Sequence, residues 1–184
     1  MAKLKTWIRA ARPRTVLLSF SSVLMGDFLS IAEGNCNYFA LVLCASTAIL
    51  LQILSNLAND LGDYKKGTDN AQRKGPQREL QSGSISEKEM KLGIVFTGLA
   101  CLFSGGLLLL SVFLTNHSLV DLAIFAILGI AAILAALLYT LGKRPYGYRG
   151  LGDLFCFIFF GWAAVFGTYY LSTKNLDFNI LLPA

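Results

Sequence analysis

Two aspartates three positions apart, Asp60 and Asp63, follow a long apolar stretch and are the residues best placed to do chemistry. On a helix, residues three and four apart share one face, and that face also carries Gln52, Asn56 and Asn59. Carboxylates one turn apart repel each other, and the negative end of a helix dipole adds to the cost. The polar stripe therefore predicts a bound cation between the two acids.

The donor types favour Mg²⁺, with Asn59, Asp60 and Asp63 as its ligands. Carboxylate and amide oxygens without a nearby His or Cys are hard ligands, and Mg²⁺ in proteins usually bridges one or two carboxylates to substrate phosphates. Cations for a polyphosphate follow directly in the sequence: Lys65, Lys66, Arg73, Lys74 and Arg78. No GxxxxGK[ST] loop is present, which excludes the P-loop nucleotide-binding class. A phosphate-bearing substrate in so apolar a chain indicates a lipid diphosphate.

A second polar element, YTLGKRPYGYRGLGD, begins at Tyr139. Its spacing predicts that Tyr139 and Lys143 pair at i, i+4 on a helix, with Arg144 and Arg149 close by. The alternative is an ordinary basic membrane anchor with interfacial tyrosines.

The elements that must position these residues are membrane helices. Of the 184 residues, 55% are hydrophobic and 15% charged, and a spanning helix needs about 20 mostly apolar residues. Five stretches qualify: 15–31, 38–58, 92–114, 119–141 and 151–171. We therefore expect residues 1–184 to form a single all-α domain, a multi-pass transmembrane helix bundle. A cleaved signal peptide is the competing interpretation of the first stretch.

The basic residues are concentrated on alternate connections between these stretches. Of 16 Lys and Arg residues, only Lys174 lies elsewhere. This pattern favours membrane lipid over nucleic acid as the partner of the basic residues. The positive-inside rule places the N-terminus on the cytoplasmic side of an inner (plasma) membrane. Residues 59–91 are expected to form a cytoplasmic loop that contains the aspartate-rich motif, with Ser84 or Ser86 capping a short helix.

Residues 59–63, Asn-Asp-Leu-Gly-Asp, resemble the first aspartate-rich motif, NDxxDxxxD, of the UbiA superfamily of intramembrane aromatic prenyltransferases. Tyr139 to Lys143 is similar to the YxxxK element of that family. Four further stretches are similar to its branch acting on 1,4-dihydroxy-2-naphthoate: ARPRT, DYKKGTDN, GPQRELQSGSIS and GLGDLFCFIFFG. The motif departs from the pattern at Gly67, with Asp69 two residues later. The family has about nine spans and a second aspartate-rich motif, so the chain is expected to lack C-terminal spans.

The resemblance implies Mg²⁺-dependent transfer of a polyprenyl group from its diphosphate to an aromatic carbon of the acceptor, with membrane lipid around the site. Asp60, Asp63, Tyr139 and Lys143 are the expected catalytic residues. The expected substrate-binding residues are Asn56, Asn59, Asp69, Arg78, Lys143 and Arg144. Cationic side chains neutralise the departing diphosphate, and an aromatic face stabilises the allylic cation.

Three alternatives stay open at this stage. In the first, the acceptor is another ring such as 4-hydroxybenzoate. In the second, the chain binds Mg²⁺ and prenyl diphosphate without turnover. In the third, the acidic stripe belongs to a non-enzymatic transporter or ion-binding protein. The aromatic residues between Phe155 and Tyr170 either line a prenyl tunnel or serve helix packing.

Overall fold

The computed structural model describes residues 3–68 and 77–181, and all regular secondary structure in these two ranges is helical. Asp69 lies outside the described residues. Seven α-helices follow one another: α1 Leu4–Ala11, α2 Pro13–Ala32, α3 Tyr38–Lys66, α4 Glu87–Asn116, α5 Leu119–Leu138, α6 Gly152–Cys156 and α7 Ala164–Thr173. A π-helix, Phe157–Ala163, joins α6 to α7, and 3₁₀ helices occupy Tyr146–Arg149 and Phe178–Leu181.

Five of these helical segments are long and apolar enough to cross a membrane, which confirms the predicted number of spans. They are Pro13–Ala32, Tyr38–Lys66, Glu87–Leu114, Leu119–Leu138 and Gly152–Thr173. Large apolar side chains such as Phe96, Phe103 and Ile127 are exposed on α4 and α5. A water-soluble protein rarely leaves such continuous apolar surface uncovered, whereas lipid covers it without cost.

Local sequence signals explain where the helices start. The Ser86 side chain accepts from the Glu89 backbone nitrogen (3.3 Å), and the Glu89 carboxylate accepts from the Ser86 nitrogen (3.0 Å), forming a capping box. Capping by Ser86 is thus confirmed, but the helix that it starts is the 30-residue α4 and not a short one. Asn37 caps α3 by accepting from the Ala40 nitrogen at 3.1 Å.

The structure corrects the boundaries of the expected loop at 59–91. Helix α3 continues through the aspartate-rich motif to Lys66, where Gly67 ends it in the left-handed region at φ 70°. Helix α4 then begins at Glu87. Polar residues alone do not stop a helix, and no proline interrupts 59–66, so the motif is helical and the connection is shorter than predicted.

Helix α3 is the centre of the bundle, since it contacts α1, α2, α4, α5 and α7. One end of the bundle, here called the basic end, contains α1, the last turns of α3, residues 77–86 and residues 139–151. The opposite end contains the α2–α3 connection, the start of α5 and the end of α7. Contacts across each end show that these segments meet: Thr140 Oγ1 donates to the Ala58 carbonyl (3.1 Å), and Tyr169 donates to Glu33 (2.7 Å).

Candidate active site

Asp60 is the most buried charged residue of the α3 stripe, with 1% of its surface exposed. Its carboxylate accepts a hydrogen bond from the guanidinium of Arg12, and the Nε atom of Arg78 lies 3.6 Å from the same oxygen. Two arginines therefore lie at Asp60; the metal ion that the sequence predicts between Asp60 and Asp63 stays a prediction. A buried carboxylate needs such partners because it has lost its hydration.

Arg12 reaches Asp60 because of the backbone at the α1–α2 junction. Arg12 is the C-cap of α1 and has φ 53° and ψ 73°, and Pro13 begins α2 directly after it. A residue before proline is disfavoured in the right-handed helical region, so the chain turns here and the Arg12 side chain points at α3. From the sequence, Arg12 belongs to the basic residues and to the ARPRT stretch without a predicted role of its own; its position before a proline was the available signal.

Asp63 has a different partner. The hydroxyl of Tyr148, in the 3₁₀ turn, donates to its carboxylate. Asn59 joins the two acids when its amide is oriented so that the nitrogen donates to Asp63 (3.2 Å) and the oxygen accepts from Arg12 (3.2 Å). Burial, and then the hydrogen bond to Asp63, raises the pKa of Tyr148 to about 12. The Lys66 ammonium group lies 4.4 Å from the centre of the Tyr148 ring.

Asn56 is committed to the α1–α2 junction. Its amide nitrogen donates to the Ala11 carbonyl (2.8 Å) and to Thr15 Oγ1 (2.9 Å), and its oxygen accepts from Gln52 (3.3 Å). Asn56 thus holds in place the segment that carries Arg12. Its predicted contact with substrate stays a prediction.

The predicted helical pair of Tyr139 and Lys143 is not formed, because α5 ends at Leu138 and Gly142 turns the chain at φ 93°. Tyr139 lines the main cavity, and burial raises the pKa of its hydroxyl. Lys143 and Arg144 are exposed and lie outside the cavity lining. Position 62 must be glycine for this turn to sit on α3, since a Cβ atom there would lie 2.6 Å from Thr140 Oγ1.

The main cavity has a volume of about 330 Å³ and joins two chemically different regions. Its polar region is formed by Arg12, Asn56 and Asn59 at the basic end. The remainder is largely apolar and is lined by small and aromatic side chains: Ala48, Phe125, Ala132, Ala135, Ala136, Tyr139, Tyr146, Phe155, Phe159, Phe160, Gly167 and Leu171. A ligand with an anionic head and an apolar body matches this arrangement.

A row of aromatic rings forms one wall of this cavity. Tyr139 meets Tyr146 edge to face (5.5 Å between ring centres), Tyr146 stacks on Phe155 (4.1 Å), and Phe155 stacks on Phe159 (6.2 Å). Among the aromatic residues from Phe155 to Tyr170, only Phe155, Phe159 and Phe160 line the cavity. The others serve packing or face outward, as Trp162 does.

The oxygen atoms of the acidic stripe suit Mg²⁺, although in this structure Arg12 contacts the Asp60 carboxylate and Tyr148 contacts the Asp63 carboxylate. Asp60, Asp63 and Asn59 offer only oxygen donors from the side chains of one helix face. Within residues 3–68 and 77–181 there is no group of three or more His, Cys, Asp or Glu side chains that could hold a metal ion. A divalent cation here would therefore need oxygens from its substrate or from water.

The fold and the cavity define an α-helical integral membrane protein whose main cavity has a polar end with Arg12 and an apolar, aromatic-lined remainder. The chain belongs to the UbiA prenyltransferase family, whose profile matches residues 19–184. Arg12 precedes the matched region.

Curated relatives share more of the chain than the family profile does. The chain is 47% identical to a 1,4-dihydroxy-2-naphthoate octaprenyltransferase of Haemophilus influenzae, covering 99% of this chain and 59% of the relative. The Escherichia coli protein of the same name is 42% identical over all of this chain and 59% of its own length. The Mycobacterium tuberculosis protein is 33% identical over all of this chain and 60% of its own length. The chain thus spans about three fifths of their length. No solved structure gives a significant match.

Proposed function

We propose that this chain supplies the diphosphate-binding part of an enzyme that transfers a polyprenyl group from polyprenyl diphosphate to 1,4-dihydroxy-2-naphthoate, a step of menaquinone biosynthesis. The observation that carries the proposal is the cavity, which places Arg12 and Asn59 at one end of an apolar, aromatic-lined space. The names of the relatives support the naphthoate acceptor.

Arg12 and Arg78 bind the diphosphate in this proposal. Both already lie at Asp60, and Arg12 also contacts Asn59, so each can turn from the carboxylate to phosphate oxygens with a small movement. Their charge stabilises the oxygens as the C–O bond to the prenyl group breaks, where one such contact contributes about 3 kcal/mol. Lys143, Arg144 and Asp69 stay predicted substrate-binding residues.

Asp60, Asp63 and Asn59 are the residues that would hold Mg²⁺ against the diphosphate. When bound, Mg²⁺ supplies neutralisation of the leaving-group charge. Tyr148 then acts on Asp63, because its hydroxyl fixes the orientation of that carboxylate from outside the cavity.

The aromatic row shields and stabilises the allylic cation left after the C–O bond breaks. A cation over an aromatic face is stabilised by up to about 2 kcal/mol when water is absent. The side chains of Tyr139, Tyr146 and Phe155 line the apolar part of the cavity, next to its polar region. The acceptor ring carbon that carries the carboxylate then attacks the cation and forms the new C–C bond. The bond from this carbon to the carboxylate breaks, CO₂ leaves, and its bonding electron pair restores the aromatic ring.

The transporter alternative needs a polar path across the whole bundle. Polar lining residues follow α3 from Asn59 through Gln52 to Thr47, while Cys44, Phe125 and Leu171 line the cavity toward the opposite end, so within the described residues the polar lining stops short of that end. At that end Tyr169 is bonded to Glu33 (2.7 Å) and Tyr170 to Asp121 (3.1 Å). We also propose that the basic end faces the cytoplasm in a bacterial inner membrane, as the positive-inside rule predicts.

The test measures incorporation of labelled polyprenyl diphosphate into 1,4-dihydroxy-2-naphthoate by membranes, with Mg²⁺ and with a chelator. The chain is assayed alone and as a chimera joined to the part of the Haemophilus influenzae relative that it does not cover. We expect product only from the chimera and only with Mg²⁺. An equal amount of product from 4-hydroxybenzoate would contradict the assignment of 1,4-dihydroxy-2-naphthoate as the acceptor. Product formed in the presence of the chelator would contradict the requirement for Mg²⁺. If the chimera gives no product with Mg²⁺ while the chain alone binds polyprenyl diphosphate, the proposed transfer activity is wrong and the chain binds this substrate without turnover.

A further inference from the structure

A second cavity lies between α1, α3 and α4 and shares no lining residue with the main cavity. It has a volume of about 580 Å³. Its walls are mainly apolar, with Trp7 and Ile8 from α1, Leu57 from α3, and Leu92 and Phe96 from α4. We call it the α1 groove. Helix α4 is one of the membrane-length helices, so the medium that meets this groove is the bilayer.

Helix α1 presents three different faces. Thr6 and Ala10 are buried against the bundle. Leu4 and Ile8 are 77% and 50% exposed and continue the apolar surface of the groove outward. Lys5 lies about one sixth of a turn away from Ile8 on the helix surface, at the border of this apolar face. A helix with this distribution lies in the membrane interface, with its apolar face among acyl chains and its basic face at the headgroups.

Two contacts fix α1 so that the groove exists before anything binds. Trp7 packs on Gly93, where a Cβ atom would lie 2.7 Å from the indole ring. Arg9 forms an ion pair with Glu79 at 2.9 Å. Since Glu79 neutralises Arg9, the exposed cations that remain are Lys5 of α1 and its N-cap residue, Lys3.

We propose that the α1 groove binds one acyl chain of an anionic phospholipid, whose headgroup phosphate lies at Lys3 and Lys5. The charge of this segment favours an anionic lipid, because Lys3, the N-cap of α1, and Lys5 in its first turn are exposed, and that turn has no acidic residue. Glu89, the acidic residue of the wall, keeps its negative charge, but its carboxylate is held at the start of α4 by the Ser86 backbone nitrogen (3.0 Å) and hydroxyl (2.8 Å). The proposal does not depend on prenyl transfer.

The two tryptophans of the chain, Trp7 and Trp162, provide a direct test. In a Trp162→Phe variant, Trp7 alone reports on the groove. The variant is placed in phosphatidylcholine bilayers that contain increasing fractions of brominated phosphatidylglycerol or brominated phosphatidylcholine, and quenching of fluorescence is followed. We expect the anionic lipid to quench at a mole fraction lower by on the order of tenfold, since each lysine near an anionic headgroup strengthens binding by about fivefold.

Two matched controls accompany the measurement. Lys3→Gln with Lys5→Gln should make the two brominated lipids equally effective, and added salt should reduce the preference. In a Trp7→Phe variant, Trp162 is the reporter; it is 42% exposed on the π-helix and should show no preference for the anionic lipid.

Equal quenching of Trp7 by the two lipids, or no quenching by either, would overturn the proposal. So would a Trp162 reporter with the same anionic preference, because the effect would then belong to the whole surface. Displacement of brominated phosphatidylglycerol by a polyprenyl alcohol at lower concentration than by the unbrominated lipid would assign the groove to an isoprenoid chain instead.

Discussion

Two aspartates are buried to nearly the same degree in this bundle, Asp60 at the basic end (1% exposed) and Asp27 near the opposite end (2% exposed). Asp60 is held by Arg12 and Arg78 beside the main cavity. Asp27 has an oxygen, Oδ1, without a hydrogen-bond partner, and it lies outside the cavity lining. Burial of an acid in a membrane helix therefore does not mark a site by itself; cationic partners beside a cavity do.

The two ends of the bundle differ in the same way. At the opposite end the acids Glu33 and Asp121 accept hydrogen bonds from Tyr169 and Tyr170. Such neutral donors fix helices together without offering charge to a ligand. At the basic end the donors to Asp60 are guanidinium groups, which can also bind phosphate. The hydrogen bonds at the opposite end hold the helices together, whereas the arginines at the basic end can also bind an anion.

The largest effect should separate the two buried aspartates. In the chimera used to test prenyl transfer, Asp60→Asn should lower the rate at least about a hundredfold, since it removes a carboxylate that would hold Mg²⁺ against the diphosphate. Asp27→Asn should lower it less than about threefold. Initial rates of labelled product in membranes, corrected for the amount of folded protein, measure both. Similar losses in the two variants would show that burial, and not the site, is what matters.

A smaller effect should distinguish the two arginines on either side of Pro13. Arg12→Lys keeps the positive charge but loses the planar fork that contacts Asp60 and Asn59, so KM for polyprenyl diphosphate should rise about tenfold. Arg14→Lys changes an exposed residue of the first turn of α2 and should leave KM within about twofold. Steady-state kinetics of both variants would contradict this assignment if KM rose equally.

Packing at the basic end should be sensitive to one methyl group. Gly62→Ala places a Cβ atom 2.8 Å from the Thr140 carbonyl, which cannot move without shifting the turn, so it should destabilise the protein by about 1–3 kcal/mol. Gly98→Ala meets nothing within 4 Å and should cause no loss. Thermal unfolding in detergent measures both. Unchanged stability of Gly62→Ala would refute the tight contact between α3 and the turn.

The smallest effect should come from the two tyrosines of the 3₁₀ turn. Tyr148→Phe removes the donor to Asp63 but keeps the ring under Lys66, and it should lower the prenyl-transfer rate about threefold to tenfold. Tyr146→Phe loses a hydrogen bond to the Ala135 carbonyl (2.8 Å), costs about 1 kcal/mol of stability and keeps its ring in the aromatic row. Parallel rate and unfolding measurements separate the two outcomes, and the assignment fails if Tyr146→Phe has the larger effect on rate.

The pKa of Tyr148 also gives the sign of a pH effect. A pKa raised above 10 in the folded protein means that the neutral hydroxyl is stabilised. Its contribution to stability is therefore complete below pH 10 and is lost as the pH rises through about 12. Tyrosinate absorbance of the wild type compared with Tyr148→Phe measures this titration; ionisation of Tyr148 below pH 10 would contradict the hydrogen bond to Asp63.

Several features were predictable because they depend on local sequence. The five spans follow from the length of apolar stretches, and the cap at Ser86 follows from a Glu three residues later. The polar stripe of α3 follows from helical periodicity, and Asp60 within it is buried as a stripe facing protein must be. The end of α5 was not predictable in this way, because Gly142 and the bond from Thr140 to Ala58 override a spacing that favours helix.

The sequence alone determined that this protein is a bundle of membrane helices with acids on one face of the second span, because hydrophobicity and periodicity act within single segments. Only the tertiary structure decided what those acids touch. Arg12 is 48 positions from Asp60 and Tyr148 is 85 positions from Asp63. Such pairs form because α1 and the 3₁₀ turn are brought against α3 by packing, and a linear pattern contains no information on which distant cation will balance a buried charge.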